Sequence, residues 1–338
     1  MSMLKYLIRR LLFLAVLLIG VSLAVFFIVR LVPANPAVAY LGPQAAGSPA
    51  IVAAFEARWG LDKPLPVQYF IYLTSLLRGD LGTSIRTGQP VLKDLAVCFP
   101  PTIELAVVSI LIAAVLGVAF GVISATRPNT LADQILRGIS VSGVSVPSFW
   151  LGLVFLYVFY HLLHWLPGPG RISPQLNFSG GPTRFMLIDA LLAGNGAAFA
   201  DALRHLILPG LVLGMFSMGL ITRTTRSSLM DVMSMDFIRT ARSKGLSRAA
   251  VVSGHAMINA ASPVITVVGM GFCNLLGGVI LVEKIFNWPG VGQYAYLSAT
   301  GLDFPAITGV ALLIAAVYAG INLVIDVLYA AIDPKVRY

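Results

Sequence analysis

Six uncharged apolar runs restrict the fold of this chain more than any other feature of its sequence. A helix that crosses a hydrocarbon core of roughly 30 Å needs about 20 predominantly apolar residues. Runs that meet or approach this length occupy positions 11–29, 105–126, 138–160, 206–222, 260–282 and 306–325. Because lipid supplies no hydrogen-bond partner to the backbone, and the runs are too long for the strands of a barrel, each run predicts an α-helix. The sequence therefore predicts an all-α membrane protein with six transmembrane helices.

The content and placement of charge agree with this class and predict the orientation. Charged residues make up 11% of the 338 positions, against about 25% in soluble domains. If the N-terminus is cytoplasmic, the segments on that side hold thirteen Lys and Arg and four Asp, whereas the outer segments hold ten Lys and Arg and nine acidic residues. Since cytoplasmic segments of membrane proteins are enriched in Lys and Arg, we expect both termini in the cytoplasm. The net charge of +9 then follows from topology and implies no nucleic-acid partner.

The apolar runs divide the chain into three parts. Residues 1–30 form a transmembrane anchor, which we expect to stay uncleaved because its apolar run exceeds the about 7–15 residues of a signal-peptide core. Residues 31–104 form an external cap segment, with a helix expected at 49–59. Residues 105–332 form the core, in which a second external segment is expected to carry one amphipathic surface helix at 185–203.

The core contains a long polar segment at 223–259, between the fourth and fifth apolar runs. Its basic residues surround a single glycine, Gly245, in the stretch DFIRTARSKGLSR. Helix-forming residues on each side of this glycine predict two short helices joined by a tight turn, since glycine tolerates the left-handed backbone of such turns. One explanation of these basic residues is the general enrichment of Lys and Arg in cytoplasmic segments, with no further role. However, helices of a bundle can be joined by about 2–8 residues, so the length of this segment favours a structured docking surface.

Two interruptions of the apolar pattern are candidates for a pathway. Ser145 and Pro147 break the third run, because proline lacks the N–H that continues a helix. Asp326 interrupts the last run, which otherwise continues to Ile332, and a charge at the centre of the bilayer costs about 2.5–3.5 kcal/mol. It is expected either to face protein, with Arg223 or Arg226 as its partner, or to lie shallow enough in the membrane to be hydrated.

The sequence predicts no catalytic, cofactor or metal site. The phosphate-binding pattern G-x-x-x-x-G-K-[ST] is absent, so any ATP-driven activity requires a separate nucleotide-binding subunit. His161 and His164 lie one turn apart beside Trp165, which is typical of an interfacial belt. Cys98 and Cys273 indicate neither a disulfide framework nor metal-ligand spacing.

In its motifs, the chain resembles the transmembrane subunits of ATP-binding-cassette (ABC) importers, in the dipeptide and oligopeptide permease branch. The similarity extends over nearly the whole chain, through LVPANPA, GLDKPLPVQYF, RGDLGTSI, SVPSFWLG, RTTRSSLMDV, RTARSKGLS, VEKIFNWPGVGQ and DVLYAAIDPKVR. The resemblance implies the type I ABC importer permease fold and a location in the bacterial inner membrane.

The resemblance also implies roles for particular residues. The basic helix–glycine–helix element corresponds to the coupling loop of the family, which docks on the ATPase subunit, and the turn WPGVG corresponds to the outer gate region. The docking positions that match are Arg239, Thr240, Ala241, Arg242, Lys244, Gly245, Leu246, Ser247, His255 and Asn259. With the two interruptions described above, the pathway or gate candidates are Ser145, Pro147, Pro289, Gly290, Gly292 and Asp326.

The function that the resemblance implies is that of a transport subunit without enzymatic activity of its own. With a second homologous permease, the chain would form the path for di- or oligopeptides delivered by an external solute-binding protein. Two cytoplasmic ATP-binding subunits would drive it; membrane lipid is a further partner, and no cofactor is expected. Nickel chelates and glutathione-like compounds are alternative substrates. A self-sufficient secondary transporter is the alternative of a different class, and it requires buried ion-binding carboxylates.

Overall fold

The computed structural model describes residues 3–31, 48–59 and 63–332, and within these ranges it is predominantly helical. The described residues contain one isolated β-bridge, between Thr83 and Pro90. The α-helices in chain order are α1 (Met3–Leu31), α2 (Pro49–Trp59), α3 (Leu65–Leu77), α4 (Val91–Thr126), α5 (Leu131–Ser145), α6 (Ser148–Phe155), α7 (Met186–Leu192), α8 (Gly196–Met233), α9 (Asp236–Ser243), α10 (Arg248–Val251), α11 (Met257–Ile285), α12 (Val291–Thr300) and α13 (Phe304–Ile332). Single π-helical turns follow α6 at Leu156–Leu162 and join α10 to α11 at Val252–Ala256. The prediction of an all-α protein is confirmed.

The long helices account for the predicted membrane spans. Among the described residues, five helical stretches are long and apolar enough to cross a membrane: α1, α4, α8, the stretch Arg248–Leu275 that includes most of α11, and α13. Helices α5 and α6 give a sixth span if they are counted as one. Each of these six elements overlaps one of the six apolar runs of the sequence.

The third span is sharply broken, and the run at 138–160 does not form one continuous helix. Helices α5 and α6 are bent by 115° relative to each other. Val146, between them, has extended backbone with ψ 130°, and Pro147 precedes the first residue of α6. Proline cannot donate to the helix, and it disfavours helical backbone in the residue before it. The break predicted from Ser145 and Pro147 is confirmed, and the structure adds its angle.

Two compact units make up the chain. Within the described residues, one comprises positions 3–101 and 289–324, and the other comprises positions 102–288 and 325–332. In the first unit, the buried carboxylate of Asp303 begins α13: its Oδ2 accepts hydrogen bonds from Ser84 Oγ at 2.6 Å and from the Arg86 N–H at 3.2 Å. This carboxylate therefore fixes the turn-rich link after α3 onto the start of the last span.

In the second unit, glycines allow the long central helix α8 to approach its neighbours closely. Gly117 and Gly121 of α4 face Ile221 and Thr225 of α8, and a Cβ added at Gly121 would lie 2.5 Å from the Cβ of Thr225. Small residues spaced by four positions permit such contact between helices in lipid, where the hydrophobic effect does not drive association.

Helix α8 is longer than its apolar run suggested. The run at 206–222 predicts a short fourth span, but α8 begins at Gly196 and ends at Met233. The prediction of a single surface helix at 185–203 is wrong. Helix α7 already ends at Leu192, and the left-handed backbone of Gly194, with φ +64°, interrupts the helix there. Asn195 then caps the new helix, its side-chain oxygen accepting a hydrogen bond from the Ala198 N–H at 3.0 Å. This cap satisfies one of the free N–H groups at a helix start.

Candidate functional site

The polar segment between α8 and α11 has the predicted helix–glycine–helix geometry. Helix α9 ends at Ser243, and Gly245 follows with φ +78°. Ser247 then caps α10, its Oγ accepting a hydrogen bond from the Ala250 N–H at 3.3 Å. A Cβ added at Gly245 would meet nothing within 4 Å. The turn therefore needs glycine for its left-handed backbone and not for space.

One face of this element is anchored in a local apolar core. Ile238 and Ala241 of α9 are buried, as are Val251 and Val252 after the turn. These side chains pack in one cluster that includes Leu229 and Val232, near the C-terminal end of α8. Apolar burial thus fixes a helix that is too short to be stable by itself in water.

The opposite face is exposed and basic. Every residue from 242 to 250 is exposed, including Arg242, Lys244 and Arg248. Leu246 is 41% exposed within this stretch, and Phe237 of α9 is 39% exposed. The surface therefore combines positive charge with apolar side chains, a combination that suits a groove with acidic and apolar walls.

The structure places the predicted docking residues in two groups. Arg239, Thr240, Ala241, Arg242, Lys244, Gly245, Leu246 and Ser247 form α9 and the turn, and of these Ala241 is buried. His255 and Asn259 lie one helical turn apart at the entry to α11, where the Asn259 side-chain amide donates to the His255 carbonyl at 2.8 Å. Arg239 pairs with Asp236 at 3.4 Å, but both side chains are more than three-quarters exposed, and such pairs contribute little to stability.

A buried ion pair beside this element was not predicted from the sequence. The Asp133 carboxylate has no exposed side-chain surface, and Arg226 of α8 donates to it from Nε to Oδ1 at 3.1 Å and from Nη2 to Oδ2 at 3.2 Å. Ser124 Oγ and the Asn129 N–H also donate to this carboxylate. Arg248 in turn donates to the main-chain carbonyl of Thr126, at the end of α4. These bonds connect the turn between α4 and α5 with α8 and with the exposed basic surface.

These contacts correct the expected partner of Arg226. The sequence suggested Asp326 as a partner for Arg223 or Arg226, and the structure shows Arg226 bound to Asp133. Arg223 makes no hydrogen bond or ion pair with any residue in the described ranges. The side chain of Asp326 lies outside the part of the chain whose side chains are described. The sequence carried a local signal that Asp133 lies at the start of a helix, because it follows the N-cap residue Thr130 by three positions.

The pathway and gate candidates do not all lie in the same compact unit. Ser145 and Pro147 lie at the break between α5 and α6, where Ser145 lines one cavity and the neighbouring Val146 and Ser148 line another. Pro289, Gly290 and Gly292 lie at the start of α12 in the other unit, where Gly290 caps the helix and Gly292 is buried. No group of three or more His, Cys, Asp or Glu side chains that could hold a metal ion occurs within the described residues.

Comparison with known proteins gives matches over nearly the whole chain. Residues 117–338 match the family model described as binding-protein-dependent transport system inner membrane component, and residues 3–106 match its N-terminal membrane component. The chain is 44% identical over 317 residues to the probable D,D-dipeptide transport system permease protein DdpB of Escherichia coli K12, covering 94% of this chain and 93% of the relative.

Two further relatives match over their full length. The dipeptide transport system permease protein DppB of Alkalihalophilus pseudofirmus is 41% identical over 336 residues, covering 99% of this chain and 100% of the relative. The glutathione transport system permease protein GsiC of Salmonella choleraesuis is 39% identical over 336 residues, with 99% and 100% coverage.

Proposed function

Because the chain belongs to the family of binding-protein-dependent transport system inner membrane components and is a permease subunit of an ABC importer, we propose that it forms, with a second homologous permease, the translocation path for di- or oligopeptides. A permease of this kind is not catalytic itself, and it works with a binding protein and with ATPase partners. The finer proposal is that two cytoplasmic ATPases drive the path and that an external solute-binding protein delivers the peptide. Membership of this family contradicts the alternative that the chain is a self-sufficient secondary transporter.

The peptide substrate is proposed from the relatives. Two relatives that match over nearly the whole chain, at 41% and 44% identity, are named for dipeptide and D,D-dipeptide transport. A second candidate is a glutathione-like compound, because a permease named for glutathione transport is 39% identical over the same length. Both classes are small, flexible solutes that carry amide bonds and free carboxylates.

The exposed basic surface around Gly245 is proposed as the ATPase-docking site. Three observations support this role: the left-handed turn fixes α9 and α10 in one arrangement, the buried cluster anchors their inner face, and residues 242–250 remain exposed. A rigid element with one anchored face and one exposed face can transmit movement of a bound partner to α8 and α11.

Replacing Gly245 with valine is expected to uncouple transport while the chain still inserts in the membrane. A β-branched residue at φ +78° is strained, which costs about 1–3 kcal/mol, so the turn would rearrange. We expect peptide uptake in proteoliposomes to fall several-fold and the substrate stimulation of ATPase activity to be lost. Gly138→Val is the matched control, because Gly138 has open space around it and lies in a regular helix. Normal uptake and normal stimulation in the Gly245 variant would count against the docking assignment.

The subunit composition can be tested directly. After purification of the tagged chain from its native membrane in mild detergent, mass spectrometry is expected to identify a second six-span permease and one or two proteins with nucleotide-binding motifs. The co-purified ATPase should then respond to peptide together with the binding protein. Isolation of the chain alone as a stable homo-oligomer would contradict the proposed assembly.

A further inference from the structure

A basic cavity lies between residues 137–145 of α5 and residues 219–227 of α8. It has a volume of about 390 Å³, and its wall combines apolar residues with Arg137, Arg223 and Arg226 and with the hydroxyl-bearing residues Ser140, Ser145, Thr222 and Ser227. The hydroxyls of Ser140 and Thr222 donate to main-chain carbonyls of their own helices, whereas those of Ser145 and Ser227 make no hydrogen bond with another described residue. The cavity therefore presents guanidinium groups and available hydroxyl donors to anything that enters it.

The charges in this cavity are only partly balanced. Arg226 is held by the buried carboxylate of Asp133, and Arg137 lies 3.4 Å from the same carboxylate with half of its side chain exposed. Three arginines thus line a cavity whose lining contains no acidic residue. Asp133, which pairs with two of them, already accepts hydrogen bonds from Ser124 and from the Asn129 N–H. Arg223 is exposed and has no partner among the described residues, so an entering anion would meet its guanidinium first. A guanidinium binds a planar carboxylate through two parallel hydrogen bonds.

A second cavity, which we call the apolar cavity because no charged residue lines it, adjoins the basic one. It encloses about 260 Å³ and is lined by Val212, Leu213 and Phe216 of α8 and by Val146 and Ser148 at the helix break. The two cavities share one lining residue, Val144. Along α8 the lining positions run from 212 to 227, so the groove changes from apolar to basic toward the cytoplasmic end of the helix.

The helix break favours an aqueous solute over a lipid in this groove. The ends of α5 and α6 leave backbone groups without helical partners. At the depth of a membrane, such backbone is tolerated where it is buried in protein or lines a water-filled cavity, and not where it faces lipid. Because the break at Val146 lines the apolar cavity, a solute in water fits the groove better than an acyl chain does.

We propose that this groove is part of the translocation path and that Arg223 binds the terminal carboxylate of the transported peptide on the cytoplasmic side. The proposal rests on the peptide substrate put forward above, because dipeptides and glutathione share a free carboxylate. The apolar cavity accommodates the side chains of the peptide, and the basic cavity recognises the charged group common to all of them. Selection between peptides then needs no contact with a particular side chain.

The test compares alanylalanine with its C-terminal amide. Binding of each to the detergent-solubilised importer complex, without the binding protein, is measured by saturation-transfer NMR titration. We expect the half-saturation concentration of the acid to be about tenfold below that of the amide, as for loss of one charge-assisted contact. In Arg223→Gln the two values should converge, and Arg223→Lys should retain part of the difference. Arg204→Gln is the matched control, since Arg204 is an exposed arginine of α8 outside both cavities.

Each remaining outcome has a distinct meaning. An unchanged preference for the acid in Arg223→Gln would overturn the proposal. Loss of bound phosphatidylglycerol in native mass spectrometry of Arg223→Gln, with the acid preference intact, would assign the cavity to a lipid headgroup instead. If the wild-type complex imports alanylalanine into proteoliposomes with the binding protein but shows no acid preference, the groove proposal fails and the proposed peptide transport stands. If no peptide is imported at all, the proposed substrate class fails.

Discussion

Replacing Gly219 with alanine is expected to lower the thermal stability of the solubilised protein more than any other single methyl addition to α8. A Cβ at this position would lie 2.5 Å from the carbonyl oxygen of Ser140 and 2.9 Å from Val144 Cγ2. The first of these atoms belongs to the backbone of α5, so the clash cannot be relieved by a side-chain rotation, and the two helices must separate. On the other side of the contact, a Cβ at Gly143 would lie 2.8 Å from the Met215 carbonyl oxygen.

The expected cost is about 1–3 kcal/mol, as for other overpacked contacts. The loss of stability can be measured as a lower midpoint temperature of thermal aggregation, which is monitored by fluorescence-detected size exclusion. Gly138→Ala is the matched control on α5, because nothing lies within 4 Å of the added Cβ and alanine is the better helix former. We expect its midpoint to be unchanged or raised. Equal midpoints for the Gly219 and Gly138 variants would show that α5 and α8 do not pack as closely as described.

Replacing Asp133 with asparagine is expected to give the second large loss of stability. The substitution preserves shape but leaves the guanidinium of Arg226, whose side chain is 23% exposed, without its counter-ion. Removing one partner of a buried ion pair typically costs about 3–5 kcal/mol, because the other charge stays buried without compensation. Partial exposure of Arg226 places the expected cost at the lower end of that range.

A double-mutant cycle separates the ion pair from a general effect of charge. The variant Asp133→Asn with Arg226→Gln should recover part of the lost stability, because it removes the uncompensated charge. Asp231→Asn is the matched control, since it makes the same change of charge at an exposed acid of α8. Strictly additive losses for Asp133 and Arg226 would mean that the pair does not act as a unit. Because Arg248 ties this region to the exposed basic surface, uptake by the same variants would also report on coupling.

The local features of the chain follow directly from the sequence. The apolar runs predict the spanning helices because crossing lipid requires a minimum length and a fully hydrogen-bonded backbone. Pro147 predicts the break of the third span, since the missing N–H acts within one helical turn. The helix–turn–helix around Gly245 is equally local, because glycine supplies the left-handed backbone wherever the chain places it.

Where one helix meets another was decided by the tertiary structure. The sequence shows Gly219 and Ser140, but not that their helices cross there at backbone contact. Arg226 and Asp133 are separated by 93 positions, and nothing in the consecutive residues shows that they meet. The sequence suggested Asp326 as a partner for Arg223 or Arg226, because a charge that interrupts an apolar run should face protein or water. The basic cavity around Arg223 has the same origin, because it exists only where α5 and α8 lie side by side. Local backbone chemistry can be read from consecutive residues, whereas pairing between helices depends on distances that only the packed fold defines.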